Sequence, residues 1–203
     1  MNTEELKTYA GLFGSMNDIL LYLAQGNDDD LLVKYLSTSQ EYAYYYARYV
    51  IKGRWPPGES TISENSFCAY RYASLVINDR FPEGESAIAK VPALAYQYAR
   101  FVIKGRWSPG EKAIARDPHH AYYYAKDVIH SRFPKGEEAI AKDSCYAYQY
   151  AKDVIHGRFP KAEKTLAKDT NWAYDYANNV IKERFARYKF LCIVSFYRFR
   201  NNV

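Results

Sequence analysis

One nine-residue pattern returns through the chain at a fixed interval: AYYYARYVI begins at Ala43, and AYRYASLVI, AYQYARFVI, AYYYAKDVI, AYQYAKDVI and AYDYANNVI begin at Ala69, Ala95, Ala121, Ala147 and Ala173. The step is 26 residues each time, with no insertion. A unit this short cannot bury its apolar face alone, so each copy must be one supersecondary element stacked on its neighbours in a constant relation.

Helical periodicity follows inside the unit. At 100° per residue, Ala121, Tyr124, Ala125, Val128, Ile129 and Arg132 share one face, while Tyr123, Lys126, Asp127 and His130 share the other. Asp117, Asp143 and Asp169 stand at the expected N-cap, and Pro118 stands at the first helical position. The long helix is expected to end at the Arg-aromatic-Pro step (Arg54-Trp55-Pro56, Arg80-Phe81-Pro82, Arg132-Phe133-Pro134, Arg158-Phe159-Pro160), where proline lacks a backbone donor. A short second helix around Glu137, Ile140 and Ala141, echoed at Ile62, Ile88, Ile114 and Leu166, then completes a hairpin.

The expected fold is therefore an all-α solenoid of six tandem hairpins over residues 40–185, between an N-terminal helical cap at 1–39 and a C-terminal segment at 186–203. In the first cap, Ser15 and Asp18 form a capping-box signature ahead of Ile19–Ala24, and Asp30 precedes Leu31–Leu36. At the other end, ARYKFLCIVSFYRFRNNV is apolar on all sides and replaces the Pro-x-Gly-Glu of the repeat; it reads as a final core helix or a self-association surface.

Over AYYYAKDVIHSRFPKGEEAIAKD, residues 121–143, the chain resembles a short helical repeat found in uncharacterised proteins of bacteriophages and large DNA viruses, and the resemblance extends over about residues 40–185. It implies a viral accessory protein acting in the host cytoplasm by blocking a host protein, including a component of antiviral defence. It brings no catalytic residues. The likeness to tetratricopeptide, ankyrin and pumilio repeats is architectural only, because their periods are longer.

The residues themselves argue against an enzyme. There is no Gly-rich phosphate loop and no nucleophile elbow; Gly58, Gly84, Gly110 and Gly136 belong to the repeat's own turn. Catalysis needs unlike groups converging on one pocket, whereas this sequence spreads like groups along a line. No cofactor is expected. No metal site is expected either: His119 and His120, as neighbours on a helix, should point apart, and His130 and His156 lie one repeat apart. Asp127 with His130, and Asp153 with His156, read as solvated surface pairs. Cys68, Cys145 and Cys192 read as reduced thiols, and the lack of a leader or a long apolar run predicts a cytoplasmic protein without a membrane span.

Two sets of side chains remain. Arg54, Arg80, Arg106, Arg132, Arg158 and Arg184 fall on the apolar face of the long helix, and the first five are followed five residues later by Glu59, Glu85, Glu111, Glu137 and Glu163. Buried structural ion pairs are the expectation, in preference to an anion-binding ladder. The exposed face varies from copy to copy and supplies the candidate partner-binding ridge: Tyr45, Arg48, Tyr49, Lys52, Arg100, Phe101, Lys104, Tyr123, Lys126, His130, Lys152 and His156. A protein partner is the first expectation. Nucleic acid comes second, because the net charge of +5 is that of Arg184, Arg187, Lys189, Arg198 and Arg200 at the end of a chain otherwise balanced. Self-association through the C-terminal segment is the third.

Overall fold

A computed structural model describes residues 2–181, 187 and 190–195, and all regular structure among them is helical. The fold is all-α and solenoid-like, built of stacked helical hairpins, and it divides into two compact units, Met1–Ile103 and Lys104–Val203. No helix among the described residues is long and apolar enough to cross a membrane.

The first unit opens with helices Thr3–Gly11, Met16–Ala24 and Asp30–Leu36. The Ser15–Asp18 capping box forms, each side chain accepting the other's backbone N–H. The third helix is capped by Asp29, whose Oδ1 accepts from the N–H groups of Leu31 and Leu32; Asp30 is already helical, its carboxylate near the positive end of the helix. Long helices then begin at Gln40, Ser66 and Pro92 and run on to Ile51, Ile77 and Ile103, with short helices Pro56–Ser63 and Pro82–Ile88 between them.

The second unit repeats the plan with long helices beginning at Pro118, Ser144 and Thr170, and short helices Glu111–Ile114, Glu137–Ile140 and Glu163–Leu166. Asp117, Asp143 and Asp169 cap the long helices as expected, accepting from the N–H groups of His120, Tyr146 and Trp172.

The long helices end earlier than expected, and not at proline. In most copies the last turn widens to π geometry, as over Tyr46–Ile51, Ala73–Ile77 and Ala151–Ile155. A residue in the left-handed region follows: Lys52, Asn78, Lys104, His130 or His156, with φ of 56°, 49°, 57°, 48° and 54°. This reversal lets the N–H of Gly53, Asp79, Ser131 and Gly157 reach back to the carbonyls of Ala47, Ala73, Ala125 and Ala151; Ala47, Ala73 and Ala151 also accept from the left-handed residue itself. Proline acts one step later, at the first turn of the short helix, as Pro56 and Pro82 do. The intervening arginine therefore leaves the helix altogether.

Alanine pairs such as Ala69/Ala73 and Ala121/Ala125 are completely buried and let successive helices approach closely. Gly136 is equally constrained: a Cβ there would stand 2.6 Å from the Phe133 ring and 2.8 Å from the Ala121 Cβ. The next copy nevertheless carries Ala162 at this place, fully buried, so the contact accommodates a methyl group after a small shift.

Of the C-terminal segment, Arg187 and residues 190–195 are described. Phe190 and Val194 are buried, with the Phe190 ring 5.3 Å from that of Tyr176, while Cys192 and Ile193 are exposed. These residues are helical with one buried side, rather than buried all round. The rest of 186–203, with Lys182 and Arg184, lies outside the described residues.

Candidate functional site

Five times among the described residues, an arginine, a glutamate and a tyrosine lock one hairpin to the next. Arg54, Arg80, Arg106, Arg132 and Arg158 donate from Nε to Glu59, Glu85, Glu111, Glu137 and Glu163 at 2.7–2.9 Å. Each of these carboxylates also accepts from the tyrosine at the fourth place of the following copy's pattern: Tyr72, Tyr98, Tyr124, Tyr150 or Tyr176, at 2.9–3.4 Å. The same phenol oxygens accept the backbone N–H of Trp55, Phe81, Trp107, Phe133 and Phe159 at 2.7–3.0 Å. One tyrosine thus satisfies the carboxylate and a buried backbone donor together.

The expected ion pairs form, but they are not buried as pairs. Glu137 is 2% exposed and Arg132 is 56% exposed; Glu111 and Arg106 show 1% and 56%. Because the helix has already ended, the guanidinium lies across the mouth of the hairpin with one side in water, and only the carboxylate pays full desolvation. The tyrosine was legible only as core. Its constant offset of 13 residues after the glutamate was the unread signal.

In the second unit the clamp gains another cation: Lys135 reaches Glu111 at 2.7 Å and Lys161 reaches Glu137 at 3.2 Å. Burial raises the carboxyl pKa of both glutamates, but hydrogen bonds from Lys135 and Arg106 to Glu111, and from Arg132 and Lys161 to Glu137, outweigh it and hold both below the usual carboxylate range. Burial pushes the Tyr98 and Tyr150 phenols up to about 12.

The exposed ridge differs between the units. In the first, one column of the repeat holds Tyr49, Leu75 and Phe101, which are 51%, 53% and 55% exposed. Arginines lie over the aromatics: Arg48 is 5.5 Å from the Tyr49 ring, Arg71 is 4.5 Å from the exposed Phe67 ring, and Arg100 is 5.3 Å from the Phe101 ring. Arg48 also donates to the Tyr44 phenol at 3.0 Å. Tyr45 stacks on Tyr49 with centroids 5.9 Å apart. Neither Arg48 nor Arg71 has a carboxylate in ion-pair range among the described residues.

In the second unit the equivalent column is Asp127, Asp153 and Asn179, the two aspartates half-buried and the asparagine exposed. Asp153 accepts from Tyr122 at 2.6 Å and from Lys126 at 2.8 Å, while Lys126 also donates to Tyr122 at 2.9 Å. Asn179 donates to Tyr148 at 3.0 Å, and Lys152 lies 5.7 Å over the Tyr148 ring. Lys126, expected to be available to a partner, is engaged within the fold, and its hydrogen bond to Asp153 raises its pKa. Lys52, Lys104, His130 and His156, expected along the helix face, occupy the left-handed caps beyond it. Tyr123 packs against His119 and Tyr122, with centroids 4.8 Å away in each case.

The histidine pair also departs from expectation. His119 and His120 do not diverge: their rings lie 4.6 Å apart, because His120 turns back over the first helical turn to place Nδ1 2.7 Å from Asp117 Oδ1. One donor atom each from Asp117, His119 and His120 lies within 4.8 Å of the others. No family model, no curated protein and no solved structure matches this chain.

Proposed function

We propose that the chain is a non-enzymatic helical-repeat scaffold that binds a protein, and that the recognition surface is the first-unit ridge of Tyr49, Leu75 and Phe101 with Arg48, Arg71 and Arg100. The supporting observation is the exposed apolar column, in one unit only, at a place where the other unit has side chains that bond to each other. Large aromatic and aliphatic side chains half in water, flanked by arginine, have the composition of interface anchors.

The cations over the ridge select the occupant: a protein surface with apolar side chains rimmed by carboxylates. Nucleic acid fits less well, since residues 1–103 hold nine Lys and Arg against twelve Asp and Glu, and the ridge is a local cationic strip on a net acidic unit. The resemblance to phage and large DNA virus repeats makes a host protein, including one that acts in antiviral defence, the first partner to test.

The test compares the parent with a Tyr49→Ser, Leu75→Ser, Phe101→Ser variant in affinity enrichment from host extract after nuclease treatment. Expected is a protein retained by the parent in high salt, bound by the variant more than tenfold more weakly, with each substitution shifting stability by about 0.5 kcal/mol or less. Capture abolished by nuclease, or by salt between about 50 and 200 mM, would favour nucleic acid. Sedimentation as an oligomer that survives the triple substitution would favour self-assembly.

A further inference from the structure

The structure assigns a second, chemically distinct site to the opening turn of the helix that begins at Pro118: we infer that Asp117, His119 and His120 bind a divalent late transition metal, Cu2+ in preference to Ni2+ or Zn2+. This inference does not depend on the ridge. It rests on geometry and on the repeat.

Two donors at right angles on one ion, each at about 2.0–2.1 Å, stand about 2.9 Å apart, and no pair can be separated by more than about 4.2 Å. Asp117 Oδ1 and His120 Nδ1 share a hydrogen bond at 2.7 Å, and an ion taking the place of its proton would need to widen the pair only slightly. The third donor, from His119, lies within 4.8 Å, so a modest turn of an imidazole about its terminal torsion brings it into range. Two imidazoles and a carboxylate suit a borderline ion, and cis donors near right angles favour the tetragonal preference of Cu2+. The positive end of the helix, with Arg116 next in sequence, works against the cation. The expected dissociation constant is therefore on the order of micromolar rather than nanomolar.

The repeat shows that the fold does not require this pair. Asp143 and Asp169 make the same cap one and two copies on, yet Cys145 and Tyr146, then Asn171 and Trp172, stand where His119 and His120 do. Those residues supply a control the fold tolerates. Untagged full-length protein should bind one equivalent of Cu2+ in a chelator-competition titration, with nitrogen hyperfine structure in the electron paramagnetic resonance spectrum. His119→Asn with His120→Trp should weaken binding at least tenfold with unchanged circular dichroism, whereas His130→Ala with His156→Ala should leave it unaltered. Binding by the His119/His120 variant equal to the parent, or loss that follows His130 and His156 instead, would overturn the site.

Discussion

The same repeat carries two different faces. In the second unit, Tyr122, Lys126 and Asp153 close a triangle between successive copies; in the first, Tyr44 and Arg48 occupy the first two corners and Leu75 stands at the third. Beneath both faces the Arg–Glu–Tyr clamp is retained, as in Arg80–Glu85–Tyr98 and Arg132–Glu137–Tyr150. The difference separates what stacking requires from what is free to vary. One face bonds to itself, and the other leaves apolar side chains exposed beside arginines.

The largest effect should come from the clamp. Glu137→Ala removes a carboxylate that Arg132, Lys161 and Tyr150 all address, and should cost about 3–5 kcal/mol in urea unfolding. Glu85→Ala, at a carboxylate 14% exposed and paired with Arg80 and Tyr98, should cost less. Equal losses would erase the distinction between the two clamps. Arg132→Ala should cost about 2–4 kcal/mol, because it leaves the buried Glu137 carboxylate with Lys161 as its remaining cation.

Acid should soften the second unit next. Glu111, Glu137 and Asp153 have folded pKa values below their ordinary ones, so their contribution is complete above about pH 5 and is lost as pH falls through the ordinary value of about 4 and on through the folded one. Urea midpoints between pH 6 and 3 should fall for the parent and fall less for Lys126→Ala with Asp153→Ala. A midpoint independent of pH would contradict the pairing seen in the structure.

The smallest effect concerns the left-handed caps. His156 adopts φ 54°, a region glycine enters without steric cost, so His156→Gly should raise stability by up to about 1 kcal/mol in thermal melts. Lys52→Gly should do the same in the first unit. A loss at either site would show that the side chain, and not the backbone, decides the cap.

Much of this architecture was legible. The 26-residue register placed the hairpins, and the aspartates at 117, 143 and 169 marked helix starts, because both signals are local. Helix ends were not, because a left-handed lysine or histidine gives no compositional warning where glycine is the usual residue. That error displaced Arg132 onto the core face and moved Lys52 and His130 onto the ridge. The clamp tyrosines and the Lys126–Asp153 pair escaped notice because they join different copies, 13 to 27 residues apart, and such partners appear only once the stacking is known.

Leu75→Asp tests the contrast between the faces most directly, since it places in the first unit the one corner that the second unit has and the first lacks. Tyr44 and Arg48 should then close a triangle with the new carboxylate, as Tyr122 and Lys126 do with Asp153, holding or raising the melting temperature while binding to the protein partner falls more than tenfold. A lower melting temperature together with unchanged binding would contradict both the structural equivalence of the two columns and the assignment of the first-unit ridge as the recognition face.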